Sequence, residues 1–126
     1  MIERIMDPNG PNPAGPYSHA VKAGNFIYVS GQASINPETK KRTPGTVTEE
    51  THQTIKNVES ILKASGADLG DVIKCSVFLA DIRDFAEMNK VYEEYFGAAK
   101  PARTTVSAQL PAHGLKVEID CVAYKE

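Results

Sequence analysis

The sequence predicts an α+β fold of two layers, a sheet of about six strands with two helices on one face. Three observations predict it. Several short stretches alternate polar and apolar residues at a period of two, as half-buried strands do. Two longer segments instead repeat apolar residues at helical spacing, between a capping pair and a glycine. The chain order reads β-β-β-α-β-α-β-β, and two helices with one apolar stripe each cover only one face of so wide a sheet. On the other face this reading puts Tyr28, Ser30, Phe78, Arg103, Thr105, Glu118 and Tyr124. That mixture is too apolar for bare solvent and too charged for a closed core, which suggests a subunit interface with polar pockets.

Ile2 to Met6 forms a short first strand, and "DPNGPNPAGP" from Asp7 to Pro16 is an ordered loop, too short to link domains. Next comes a hairpin, "YSHAVKAGNFIYVSGQ", turning at Gly24-Asn25. Its second arm sends Ile27 and Val29 one way and Phe26, Tyr28, Ser30 and Gln32 the other. Asn36-Pro37 and Pro44-Gly45 bound a polar loop whose "KKR" reads as a solvated turn. Thr46 and Glu49 have capping-box spacing ahead of a helix with Ile55, Val58, Ile61 and Leu62 on one stripe, and Gly66 ends it in the left-handed conformation. "DVIKCSVFLA" is a strand with Ile73, Cys75, Val77 and Leu79 on one side. Asp84 and Glu87 repeat the capping spacing before Phe85, Met88, Val91, Tyr92, Tyr95 and Phe96, with Gly97 as the stop.

Two strands close the chain. In "PARTTVSAQLP" Val106, Ala108 and Leu110 take one face and Arg103, Thr105, Ser107 and Gln109 the other. In "LKVEIDCVAY" Leu115, Val117, Ile119, Cys121 and Ala123 take the core side, so Glu118 faces away from the helices, onto the face assigned to Arg103.

A chain of 126 residues with 41% hydrophobic residues is expected to be one domain, residues 1–126, with a core of ordinary size. Its 14 basic and 16 acidic residues give a net charge of −2, which argues against non-specific binding to nucleic acid. Cys75 and Cys121 sit in apolar strand patterns without metal-ligand spacing and read as reduced core residues. No apolar run approaches the roughly 20 residues of a membrane helix, and "MIERIMDPNG" is too acidic and broken for a signal peptide, so a cytoplasmic protein is expected. His19, His52 and His113 are scattered, form no ligand pair such as HExxH, and default to structure or surface.

The segments "GPYSHAV", "IYVSGQ", "NKVYEEYF", "PARTTV" and "VEIDCVAY", in this order from Gly15 to Tyr124, resemble those of the Rid or YjgF-type proteins, 2-iminoacid (imine/enamine) deaminases. The resemblance implies a chorismate-mutase-like fold with a mixed sheet. It also implies a homotrimer whose sheets close a central barrel, with three clefts between neighbouring subunits. Its carboxylate-binding arginine falls on Arg103, its water-positioning glutamate on Glu118, and other pocket positions on Tyr17, Ser30 and Gly31. Many members have a cysteine where this chain has Thr105, a position whose main chain holds the substrate. The threonine alters pocket shape and removes a reactive thiol.

The implied substrate is a small 2-iminoacid released by pyridoxal-phosphate dehydratases, hydrolysed to a 2-oxoacid and ammonia with no metal, nucleotide or redox cofactor. A guanidinium offers paired donors that fit a planar carboxylate, and an ionised glutamate can orient water and accept its proton. Taken alone, Arg103 and Glu118 read as exposed strand charges. Tyr17 and Ser30 read equally as pocket wall or structural hydrogen-bonding groups, and Gly31 as a close approach of the backbone to the ligand or as a bulge. Two rivals are a translation-inhibiting ribonuclease, disfavoured by the net charge and the lack of a histidine pair, and a non-catalytic carboxylate-binding or holdase protein. The presence of both Arg103 and Glu118 favours the enzyme.

Overall fold

The computed structural model describes residues 1–126. Strands β1 (Ile2–Ile5), β2 (Ala20–Ala23), β3 (Phe26–Ala33), β4 (Val72–Leu79), β5 (Ala102–Ser107) and β6 (Val117–Tyr124) form one sheet, and helices α1 (Val47–Ala64) and α2 (Phe85–Phe96) lie in the expected places. The sheet order is β1-β2-β3-β6-β4-β5. Every neighbouring pair is antiparallel except β4 with β5, so the sheet is mixed, as expected. Gly24 supplies φ +60 at the β2–β3 hairpin turn, the geometry that suits strand twist.

Helix α1 begins with the expected capping box, Thr46 and Glu49 each satisfying the other's backbone N–H. It ends at Gly66, where φ +87 lets Ala67 N–H reach Leu62 O and Gly66 N–H reach Lys63 O, a Schellman cap. Helix α2 starts differently from expectation. Asp84 makes no side-chain cap, because a 3₁₀ turn over Ile82–Asp84 precedes the helix and leaves Asp84 near ψ 3° rather than extended. Asp81 takes over, accepting from Arg83 N–H at 2.9 Å.

The core lies between the helices and one face of the sheet. Ile55, Val58, Ile61 and Leu62 of α1 and Met88 and Phe96 of α2 are buried against Ile27, Val29, Val77, Leu79, Val117 and Ile119. Cys75 and Cys121 face each other across β4 and β6, both free and buried.

Two bulges move residues from the faces assigned by simple alternation. Ser30 and Gly31 together oppose one residue of β6, so Gln32 pairs with Ile119 and turns into the core at 6% exposure. Ile73 is the extra residue between Val72 and Lys74, which buries Val72 and leaves Ile73 exposed.

A third correction concerns β5. Arg103 pairs with Cys75 and Thr105 with Val77, so both point to the helix side, not to the face of Glu118. The uncovered face carries Val106, with Phe26, Tyr28 and Tyr124, each at least 38% exposed. Alternation shows that two faces differ; at an edge strand it does not show which one meets the helices.

Candidate active site

The Ser30–Gly31 bulge and β6 form the floor of a cleft of about 640 Å³, which Tyr17, Ser30, Gly31 and Glu118 all line. Its walls are the loop through Pro11 and Pro13 and the segment Pro111–Ala112. Here the bulge does local work: Gly31 has no side chain, and the Glu118 carboxylate occupies the space a side chain would need. A Cβ on Gly31 would collide with Glu118 Oε2 and lie 3.0 Å from Cδ. The bulge reading of Gly31 therefore holds, and the missing side chain is what leaves room for the Glu118 carboxylate.

Glu118 is half-buried and takes part in none of the chain's ion pairs. Burial, and then the charge of Asp120, push its carboxyl above the ordinary range. Asp120 is pushed up by burial as well, although hydrogen bonds from Ser76 oppose the shift. An unpaired carboxylate with raised proton affinity is a stronger base than a solvated one.

Tyr17 and Ser30 combine wall and structural roles. The Ser30 hydroxyl donates to Ser18 O at 2.7 Å, and the Tyr17 phenol oxygen accepts from Ala14 N–H at 3.0 Å. That leaves the Ser30 oxygen able to accept and the Tyr17 O–H able to donate.

His19 also lines the cleft, with both ring nitrogens engaged. Asp7 N–H donates to Nδ1 at 2.8 Å, and Nε2 lies 2.5 Å from Pro11 O, which places the proton of a neutral ring on Nε2. Its role is structural, as expected. Asp7 is itself buried, accepting from Ser60 Oγ, and the pair anchors the wall loop to α1.

One positioning group escaped the sequence reading. Glu50 is fully buried; it accepts from Lys116 N–H at 2.6 Å and Gly45 N–H at 3.2 Å and pairs with Lys116 Nζ at 3.5 Å. It fixes the chain two residues before Glu118. The signal was present: Glu50 falls on the same helix stripe as Thr54, Val58 and Ile61, where a charge is out of place unless it is paired.

Arg103 and Thr105 lie elsewhere. The Arg103 guanidinium sits over the Tyr92 ring at 4.7 Å and the Phe85 ring at 5.5 Å from the centroids. It belongs to no ion pair of the chain. Beside it Thr105 Oγ1 is buried without a partner, as is the Tyr92 hydroxyl, which lies near the Cys75 thiol. Burial raises the pKa of both Tyr92 and Cys75. Because β4 separates β5 from β6 and the two side chains take opposite faces, one protomer cannot bring Arg103 and Glu118 onto the same small ligand.

No group of three His, Cys, Asp or Glu side chains is arranged to hold a metal ion. No helix is long and apolar enough to cross a membrane.

Residues 8–125 match the family model described as Endoribonuclease L-PSP. The chain is 47% identical over 126 residues to a RutC family protein of Pyrococcus horikoshii, with all of both chains covered. It is 40% identical over 119 residues to the 2-iminobutanoate/2-iminopropanoate deaminase of Mus musculus, covering 94% of this chain and 88% of the mouse protein. Among solved structures, the yeast protein YEO7 superposes with a TM-score of 0.96 at 37% identity over the whole of both chains. TdcF of E. coli with bound serine superposes at 0.90, 33% identity, covering 98% of this chain and 99% of TdcF.

Proposed function

Since this chain belongs to the endoribonuclease L-PSP family, the Rid or YjgF family, we propose that it hydrolyses small 2-iminoacids to 2-oxoacids and ammonia. The observation that carries this reading is the unpaired, half-buried Glu118 carboxylate against Gly31, in a cleft that Tyr17 and Ser30 also line. The name of the mouse relative and the serine bound to TdcF support an amino-acid-like substrate.

In this reading the active form is a homotrimer and each site is shared. One protomer supplies Glu118, Tyr17, Ser30 and Gly31, and its neighbour brings Arg103 and the main chain at Thr105. Arg103 holds the 2-carboxylate. Glu118 takes a proton from water as the oxygen bonds to the carbon of the protonated imine, giving a neutral carbinolamine and a protonated glutamate. The glutamate returns that proton to the amine nitrogen, the C–N bond breaks with ammonia leaving, and the hydroxyl proton is lost as the carbonyl forms. The description of the family as an endoribonuclease finds less support in this cleft, since the one histidine that lines it has both nitrogens engaged.

The test is subunit mixing. Arg103→Ala and Glu118→Gln homotrimers should each lose turnover of 2-iminobutanoate, read as 2-oxobutanoate in competition with semicarbazide trapping. Refolded together, they should recover about a quarter of wild-type activity, because half the protomers keep each group and neighbours combine at random. No recovery would reject the shared site. Wild-type protein that adds nothing to spontaneous hydrolysis would reject the activity.

A further inference from the structure

The cleft has a basic wall that imine hydrolysis of a small apolar substrate does not need. Lys40 and Arg42, from the "KKR" loop between β3 and α1, line the same space as Glu118. The loop is exposed, as a solvated turn would be, yet it turns these two cations over the cleft. Neither belongs to any ion pair of the chain.

Both are oriented by neutral acceptors instead. Lys40 Nζ donates to Gly10 O at 2.6 Å, and Arg42 Nη1 donates to His113 O at 3.2 Å. The first carbonyl adjoins Pro11 of one wall of the cleft and the second adjoins Pro111 and Ala112 of the other, so the loop is strapped to both. Lys40 is held at φ +63, a conformation that is uncommon outside glycine. Its N–H donates to Asn36 O at 2.8 Å. A backbone carbonyl fixes the direction of a cation without neutralising it, and each group keeps further N–H donors. A volume of about 640 Å³ also exceeds what a small iminoacid fills.

We propose that Lys40 and Arg42 form a second anion subsite, so that the chain prefers 2-iminoacids whose side chain ends in a carboxylate, the 2-iminodicarboxylates. The inference rests on the reading of the Glu118 cleft as the site of imine hydrolysis. Arg103 of the neighbouring protomer holds the 2-carboxylate, and the two loop cations hold the distal one. A singly charged carboxylate suits the site better than a phosphate dianion, because the Glu118 carboxylate in the same cleft repels the dianion more.

The experiment compares kcat/KM for 2-iminoglutarate with that for 2-iminobutanoate, both generated in situ, and measures calorimetric binding of 2-oxoglutarate, 2-oxobutanoate and inorganic phosphate. In wild type the kinetic ratio should exceed one, and 2-oxoglutarate should bind about tenfold tighter than 2-oxobutanoate. Lys40→Gln with Arg42→Gln should lower both advantages about tenfold, whereas Arg42→Lys, which keeps the charge, should retain most of them. A ratio unmoved by the double variant, with both iminoacids still hydrolysed, would overturn the subsite and leave the hydrolase reading standing. Failure to hydrolyse either iminoacid, with 2-oxoglutarate binding still dependent on the two cations, would overturn the hydrolase reading and keep the subsite. Phosphate binding as tight as that of 2-oxoglutarate would overturn the choice of carboxylate.

Discussion

Glu118 and Arg103 lie two strands apart in one sheet, but their surroundings are opposite in kind. The Glu118 carboxylate packs over a glycine bulge on the face away from the helices, without a cationic partner, and its burial beside Asp120 raises its proton affinity. Arg103 lies on the helix side of an edge strand, its guanidinium laid over the Tyr92 and Phe85 rings. One group is held in an electrostatically unfavourable state that makes it a better base. The other is held in a favourable, oriented state that leaves its N–H edge available. The pairing supports the proposed reading, in which one subunit activates water and the next fixes the substrate.

The comparison breaks first at Glu118. Glutamine keeps the shape and one acceptor oxygen but takes no proton at neutral pH, so Glu118→Gln should lower kcat/KM for iminoacid hydrolysis by about 10² to 10⁴. Binding of 2-oxobutanoate should be unchanged or slightly tighter, as calorimetry would show. The wild-type rate should fall on the acid side at a pH above the ordinary carboxylate range, because the raised pKa protonates the base earlier. Normal turnover by the glutamine variant would move water activation to another group.

Arg103→Ala tests the other half. Losing a two-pronged, charge-assisted carboxylate contact should reduce kcat/KM about a hundredfold, with the oligomer retained in light scattering, and Arg103→Lys should recover little. A fully active alanine variant would leave the guanidinium with only its stacking role on α2.

How much of this was legible in the chain follows the same division. Strand β6 and helix α1 are legible in face as well as type, because each has one wholly buried side: Val117, Ile119, Cys121 and Ala123, and Ile55, Val58, Ile61 and Leu62. Alternation alone misassigns Gln32 and Ile73, because a bulge adds one residue to a strand and leaves no mark in its polar and apolar pattern. Alternation puts Arg103 on the wrong face for another reason. Its aromatic roof comes from the preceding helix α2, which covers it only once folded back over β5, while Val106 on the opposite side looks like core. The motif segments marked Tyr17, Ser30, Gly31 and Glu118, which the fold gathers into one cleft. Lys40 and Arg42 carried no such signal, since only the strapping of their loop to two remote carbonyls turns them inward.

A smaller effect sharpens the Glu118 side. Gly31→Ala adds one methyl group at the place the carboxylate occupies, so the carboxylate has to move while its charge stays. A displacement of this size should reduce kcat by about tenfold to a hundredfold with little change in KM. If the loss appeared in KM instead, Gly31 would be a substrate contact and not the seat of the base.

The smallest expected effect is on stability, and its sign separates the two surroundings most directly. Burial and Asp120 raise the pKa of Glu118 in the folded protomer above the ordinary 4.5. Between the ordinary and the raised value the native state holds a proton that the unfolded state releases, so stability falls as pH rises through that window. Above it the charged carboxylate is a net destabilising group. Glu118→Gln removes that charge and should raise Tm at neutral pH, on the order of 2 °C given the partial exposure of the side chain. The gain should vanish below the ordinary carboxylate range, where both forms are neutral. A lower Tm for the glutamine variant at neutral pH would mean that Glu118 has a cationic partner absent from its own protomer. The neighbour's Arg103 would then be tested by repeating the pair of melts in an Arg103→Ala background, where the sign should revert to the one the isolated protomer dictates.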